Sequence, residues 1–573
     1  MSRSPVFRVV FATLASLCQF SNRQITIRRF ASGGLAACLI IAVSASGVAQ
    51  SNRVSGFEQS TFAVVGGRVV VAPGQIIEGG TLVLRNGLVI AVGKDVSIPA
   101  DAEIIDAKGL VVHAGFIDAG TGDLLDPDRK PKNVPGRKVD FSRYVLAATR
   151  PDNRLHITPE FVSGGALKLD AAKLDVARKA GFTSLHVLPS GRIASGLGAL
   201  ASVSGAPARE SLLRDVTFAE FQLFAPRGSA YPATLMGATA HLRQTFLDAE
   251  RHALRWKLYE GKTNGVARPP IDATYSALND VLAGRRRALF LAETRDDIHR
   301  ALEFSASHKL KPVLWGVKEA HRAVDRLEKS KIDLVMAIDF GAEPKVKVPK
   351  ADGKLTGDDL VPVRVQQYRL NRWRERVAGL AELNRRKVRF AITSRGLKSA
   401  SEIAGNLRQA IKAGLPRDAA LAAVTTDAAA VLGIDDRLGS LAVGKLAHVV
   451  IRTGPFDHEQ AKVRYVFVDG RKFEYNTDAK PVAPPEKKQS PAADLAGKWQ
   501  LVIEAATGKL PATLELVQTG TKLTGSFTSE QGNGRVASGT VKDGAAAFTV
   551  EIGAGAQTIR LAFSGKLEKD KLA

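Results

Sequence analysis

The chain has 573 residues, of which 45% are hydrophobic and 24% charged, and a formal net charge of +24. That composition is globular and excludes a fibrous or disordered protein, and the length suggests about three or four domains. The two cysteines, Cys18 and Cys38, both fall in the first fifty residues. The rest of the chain therefore offers no disulfide framework, zinc–cysteine site or cysteine nucleophile.

The first fifty residues contain arginines but no Asp or Glu, with apolar runs at Val6–Leu17 and Leu35–Val43. The second run closes on Ser44-Ala-Ser-Gly-Val-Ala49, as a secretory leader does. Residues 1–49 are expected to be a signal peptide, and the mature chain a periplasmic or extracellular protein. Arg28-Arg29-Phe30 lacks the spacer of a twin-arginine signal. Leu35-Ala-Ala-Cys38 precedes its apolar run instead of closing it, which argues against lipidation. No later stretch reaches the ~18 apolar residues of a transmembrane span. Five of the positive charges are leader arginines, so an excess of nineteen remains without them. Basic clusters at Arg285–Arg287, Arg369–Arg376 and Arg385–Lys387 could hold an acidic polymer or envelope component. A solvated helix face explains them more simply. No nucleic-acid motif accompanies them, so no specific nucleic-acid partner is expected.

Residues 62–105 read as short strands and turns, with a hairpin signal at Arg85-Asn-Gly87. The middle of the chain then alternates. Leu169–Ala180 predicts a helix that Gly181 ends, Thr183–Val187 a buried strand and Leu235–Tyr259 a long helix. Strands are expected at Ala288–Ala292, Pro312–Trp315, Ile332–Ile338 and Val388–Thr393. Helices are expected at Asp296–Ser307, Ala320–Leu327 and Val365–Leu383. Repeated βα units imply a parallel sheet, and this number favours a closed barrel. Pro189–Ala199 reads as a plain βα loop and Gly341–Val361 as a loop insertion. Leu446–Tyr475 is again β-rich, with a turn at Asp469-Gly470. Thr477–Asp494 is a Pro, Ala and Lys linker. Gly497–Ala573 reads as an antiparallel meander or small barrel, with strands at Ala512–Val517, Lys522–Phe527, Ala547–Ile552 and Thr558–Phe563.

The stretch Gly109-Leu-Val-Val-His-Ala-Gly-Phe-Ile-Asp-Ala-Gly-Thr-Gly-Asp123 resembles the first barrel strand of the amidohydrolase superfamily. In that family the strand runs into Pro-Gly-Phe-Ile-Asp and then x-His-x-His, whose histidines ligate a catalytic metal. Here Ala114 stands for the proline, and Gly120 and Gly122 stand for the histidines. Ala419–Gly433 resembles the helix after the last barrel strand, and Ile434–Lys445 the return into a β-sandwich, although Leu446-Ala-His448 replaces the usual Asp-Ala-Asp. The resemblance spans about Phe62–Tyr475. It implies an α/β fold: a distorted TIM-like (β/α)8 barrel with a flanking β-sandwich built from both chain ends, plus a separate small all-β C-terminal domain. The corresponding segments are the N-terminal part of the sandwich at 50–112, the barrel at 113–439, the C-terminal part of the sandwich at 440–476, a linker at 477–496 and the β domain at 497–573.

The family would use zinc or another divalent metal to activate water. The resemblance places its remaining ligands at Leu291 on the fifth strand, Trp315 on the sixth, and Arg395 (or Ser394, with a one-residue slip) after the last. None of the five positions carries a ligand, and a cation at Arg395 opposes metal binding. No cofactor is therefore expected. Asp118, Asp123 and Glu293 are the remaining candidates for a carboxylate site; capping, turn formation or an ion pair with Arg395 would account for them as well. His186 reads as a hydrogen-bonded core residue. The expected protein is an exported, metal-free, degenerate hydrolase that binds a small molecule or an envelope component, or serves as a scaffold. The alternatives are an active hydrolase of non-peptide carbon–nitrogen bonds with an atypical site, and an envelope- or polyanion-binding protein.

Overall fold

The computed structural model describes residues 60–129, 154–224, 232–261, 265–347, 361–482 and 495–572, apart from a few turn residues in the last stretch. The leader, most of the 341–361 insertion and most of the linker lie outside the described residues. No described helix is long and apolar enough to cross a membrane.

The first strands are β1 (Thr61–Ala72), β2 (Gln75–Arg85), β3 (Leu88–Gly93), β4 (Glu103–Asp106) and β5 (Val111–Ala114). Asn86 and Gly87 take positive φ, 51° and 74°, in the β2–β3 turn, as the hairpin signal requires. The barrel strands follow: β6 (Phe116–Thr121), β7 (Phe182–Val187), β8 (Ala194–Leu197), β9 (Ala199–Ser202), β10 (Leu212–Arg214), β11 (Ala219–Gln222), β12 (Ala288–Leu291), β13 (Pro312–Val317), β14 (Asp333–Ala337) and β15 (Phe390–Thr393). Then come β16 (Val449–Arg452), β17 (Val463–Val468) and β18 (Arg471–Glu474). One sheet runs β18-β17-β16-β5-β1-β2-β3. Its join is the antiparallel pair β5–β16, with Val449 opposite Ala114 and Ile451 opposite Val112. Segments more than three hundred residues apart thus share one sheet and one core that includes Val64, Leu82, Val112, Val449 and Phe467.

The central strands form two sheets, β10-β9-β7-β6 and β15-β14-β13-β12-β11-β8. From β11 to β15 all pairings are parallel. The chain passes from one sheet to the other at Gly198, between β8 and β9. A Cβ there would lie 2.6 Å from Thr217 Oγ1 and 2.8 Å from His186 Nε2, so only glycine fits. Side-chain hydrogen bonds join β15 to β6 on the other side: Thr393 Oγ1 donates to the Gly120 carbonyl, and Ser394 donates to Asp118. The architecture is TIM-barrel-like.

Alternation along the strands sorts the core into two layers. Leu289, Leu291, Val313, Trp315, Val335 and Ala391 pack inward. Phe290, Leu314, Leu334, Phe390 and Ile392 pack against the helices. Those helices are α1 (Ala171–Ala180), α2 (Leu235–Glu260), α3 (Ala273–Leu282), α4 (Arg295–Ser307), α5 (Val324–Ser330), α6 (Val363–Arg385), α7 (Glu402–Lys412), α8 (Arg417–Ala422) and α9 (Thr426–Leu432). Phe221, Phe246, Phe290 and Phe304 make a buried aromatic chain with centroids 5.4–5.7 Å apart. Truncating one such ring would cost about 3–5 kcal/mol. The strand after the linker, β19 (Gly497–Ala505), opens a consecutive seven-stranded antiparallel meander that ends at Leu572.

Several expected elements differ from those observed. Pro189–Ala199 is not a plain loop, because it holds β8 and the start of β9. The expected helix Ala320–Leu327 begins as a 3-10 turn, Ala320–Arg322, and only α5 is α-helical. Ala419–Gly433 is not one helix. It is α8 and α9, broken at Thr425, whose φ and ψ of −131° and −94° are not helical. Helix α3 and strands β10 and β11 lie where the sequence suggests no element.

Candidate functional site

The parallel strands deliver their C-terminal residues to one end of the barrel, where side chains of this architecture meet. Five positions there decide the chemistry. Gly120 closes on its neighbours: a Cβ would sit 3.1 Å from Leu188 Cδ1, 3.2 Å from Thr393 Oγ1 and 3.4 Å from Trp315 Cε3. Trp315 is 2% exposed and Leu291 4%. The Arg395 guanidinium lies 4.9 Å from the centroid of the Trp315 ring. Gly316, at φ +68°, brings its backbone against Leu291 and the Arg395 stem. Gly122 leads out of the strand toward Ser190. The space beside Gly120 is thus shared by Leu188, Thr393 and the Trp315 indole, itself capped by the Arg395 guanidinium, whereas a Cβ on Gly122 would meet only Ser190 and the Leu188 carbonyl. The residues present do not fit a metal. Two glycines and a leucine supply no donor, an indole supplies no basic nitrogen, and the guanidinium is a fixed cation. Among the described residues, no group of three or more His, Cys, Asp or Glu comes together.

The three candidate carboxylates occupy different surroundings. Asp118 is 1% exposed. Its Oδ1 accepts from Ser394 N at 2.9 Å and Gly120 N at 3.1 Å, and its Oδ2 accepts from Ser394 Oγ at 2.5 Å. Burial pushes its carboxyl up to about 6 against those hydrogen bonds. Asp118 therefore clamps the first strand to the last. Asp123 is exposed, and its backbone carbonyl accepts from Lys173. Both border a cleft of about 420 Å³ on the α1 side. Glu293 lies in a second cleft, of about 440 Å³, walled by Lys318, Phe340, Tyr368, Arg372 and Trp373. It pairs with Arg395 at 3.3 Å and with Lys318 at 3.5 Å.

His186 is fully buried. Its Nδ1 lies 2.9 Å from the Ala119 carbonyl and its Nε2 2.8 Å from Thr217 Oγ1. Burial lowers its pKa to about 4, so the ring is neutral. His448, which departs from the family pattern, bridges two elements: Ser184 Oγ lies 3.2 Å from Nδ1 and Asp469 Oδ1 lies 3.0 Å from Nε2. The Ser–His–Asp order resembles a nucleophilic triad. Ser184 is 0% exposed and borders neither mouth cleft, so the chain ties β7 to the β17–β18 turn.

Sequence reasoning missed Glu220, on β11. It is 0% exposed, and among the described residues neither carboxylate oxygen reaches a partner in hydrogen-bonding geometry, nor does Trp315 Nε1. Burial pushes the Glu220 carboxyl up to about 8; the nearby Ser195 hydroxyl, the Arg395 charge and the Trp315 indole pull the other way without overcoming it. Its signal was a lone acid inside the apolar run Phe218-Ala-Glu-Phe-Gln-Leu-Phe224.

The fold is TIM-barrel-like, with glycine, leucine, tryptophan and arginine at its mouth. The amidohydrolase family model matches residues 324–473, and over that segment the chain is similar to the family. Among solved structures, an amidohydrolase from Thermotoga maritima MSB8 is similar at 20% identity and a TM-score of 0.58, covering 72% of this chain and all of that one. A prolidase complexed with N-methylphosphonate-L-proline aligns at 19% identity and a TM-score of 0.43, covering 72% of this chain and all of that one. A Xaa-Pro dipeptidase with bound methionine aligns at 16% and 0.42, covering 73% and 100%. No curated protein matches the sequence.

Proposed function

We propose that this protein is a degenerate amidohydrolase that has exchanged metal-dependent hydrolysis for binding or scaffolding. One observation carries the reading: Trp315, stacked under Arg395, occupies the space beside Gly120 where the resemblance would place a metal. A hydrolase of this class lowers the pKa of a bound water through its metal, and these residues cannot hold one. The ligand is a small molecule or an envelope component, and the cleft at Glu293 and Lys318 is its candidate seat. The same reading has the chain exported, the barrel complete as an eightfold (β/α) unit, and the C-terminal meander a separable module.

The test is a turnover screen of amides, carbamates and cyclic imides with and without added zinc or manganese, run beside a thermal-shift screen of the same compounds. Stabilisation without turnover supports the proposal, whereas metal-stimulated turnover overturns it. A second reading, carbon–nitrogen hydrolysis at a metal-free site, draws on the buried Glu220 carboxyl. Glu220 borders neither mouth cleft, which is why this reading comes second. Metal-independent turnover abolished in Glu220→Gln would raise it to first.

A further inference from the structure

Helix α2 has two apolar faces, and only one is used by the fold. Ala238, Leu242, Phe246, Ala249 and His252 are buried against the barrel. On the opposite side, Met236, Leu247, Leu254 and Leu258 are 82%, 46%, 56% and 45% exposed. At 3.6 residues per turn these four side chains fall within an arc of about 40°. Single exposed leucines are ordinary; a stripe of them running three turns along one helix is not.

The flanks of the stripe are basic. Arg243 and Lys257 lie on one side at about 40° and 80° from its centre, and Arg251 and Arg255 lie on the other side at similar angles. All four are exposed, and none makes an ion pair or side-chain hydrogen bond among the described residues. The single acid on this arc, Glu250, is engaged by His308 at 3.2 Å. The surface is thus apolar along its centre line and cationic along both edges.

We infer that the outer face of α2 docks flat onto an anionic lipid surface. Leu247, Leu254 and Leu258 would enter the acyl boundary while the flanking cations stay at the level of the lipid phosphates. Long basic side chains suit this arrangement, because their stems cover apolar surface while their heads remain in a polar layer. Charge decides against the nearest rival. A second copy of the chain meeting this face about a two-fold axis would set the same four cations against their equivalents with only Glu250 on each copy to offset them. An anionic bilayer complements all four at once.

The test is co-sedimentation of the full chain with phosphatidylcholine vesicles containing or lacking phosphatidylglycerol. It compares the native sequence with two variants, Leu247→Gln/Leu254→Gln/Leu258→Gln and Arg243→Gln/Arg251→Gln/Arg255→Gln. Every substituted side chain is exposed, and an unchanged thermal midpoint confirms the fold. The native chain should prefer the anionic vesicles and lose that preference as salt rises. Each basic residue near such a surface contributes a factor of about five, so the arginine variant should bind about a hundredfold more weakly. The leucine variant should weaken binding to both vesicle types. Equal binding by all three proteins, or no preference for anionic vesicles, would overturn the inference. So would a leucine-dependent dimer in sedimentation velocity, which would assign the face to a second copy.

Discussion

Glu220 gives a sharp physical test of the barrel interior. Its carboxyl sits at about 8, against an ordinary value of 4.5, because burial removes the charged form from water. A raised carboxyl pKa means that the folded state holds its proton more tightly than the unfolded chain does. The stabilisation is fully present below 4.5 and is lost as pH rises through 8. With those two values, linkage makes the loss between pH 5 and pH 8 about 3–4 kcal/mol. Glu220→Gln keeps the shape, stays neutral throughout and should remove this slope. The measurement is urea unfolding of both proteins at pH 5 and pH 8, read as the difference between them so that every other titrating group cancels. The variant should be about equal to the native protein at pH 5 and distinctly more stable at pH 8. A difference that stays constant across the two pH values would refute the claim that Glu220 is a buried acid with a raised pKa.

Four further outcomes follow from named contacts. Asp118→Ala removes the acceptor of three hydrogen bonds, two of which hold β6 to the end of β15, and leaves buried donors unpaired, so urea unfolding should show a loss of about 2–4 kcal/mol. Gly120→His should destabilise the chain and gain no zinc by elemental analysis, because its Cβ already meets Leu188, Thr393 and Trp315. His186 works with the opposite sign to Glu220: with its folded pKa lowered to about 4, its contribution is lost as pH falls from 6.5 toward 4. Native protein should therefore lose more stability than His186→Gln over that interval in thermal melts. Limited proteolysis should cut within residues 477–494 and leave two resistant fragments, whereas a single cooperative loss of both would make the C-terminal sheet part of the barrel's packing.

What could be read from the sequence was what local chemistry specifies. Gly181, at φ 99°, ends α1 where a left-handed glycine was expected, and Asn86-Gly87 turns the β2–β3 hairpin. That Gly120 and Gly122 supply no side-chain donor is likewise legible from the chain alone. Strands β8 and β9 were unreadable because Ala194-Ser-Gly-Leu197 and Ala199-Leu-Ala-Ser202 are short, small-residue segments with neither β-branched bulk nor alternation. Their β structure comes from the neighbours they pair with. The break at Thr425 was hidden in the same way, since the alanine-rich run around it favours helix throughout. At the site, Ser184, His448 and Asp469 meet only through tertiary folding, across 264 and 21 residues. The separation of Glu293 from Asp118 is likewise a property of where two clefts open, not of spacing in the chain. What the sequence did not disclose is what surrounds Gly120: Leu188, Thr393 and an indole under a guanidinium, with a buried carboxyl nearby.

The central claim is that this mouth has been rebuilt so that it cannot hold a catalytic metal. Elemental analysis of the purified chain after exposure to zinc, iron and manganese tests it most directly. The account predicts well below one tightly held ion per chain, and no change on substituting Asp118 or Glu293. About one or more ions per chain, released when either carboxylate is removed, would contradict it.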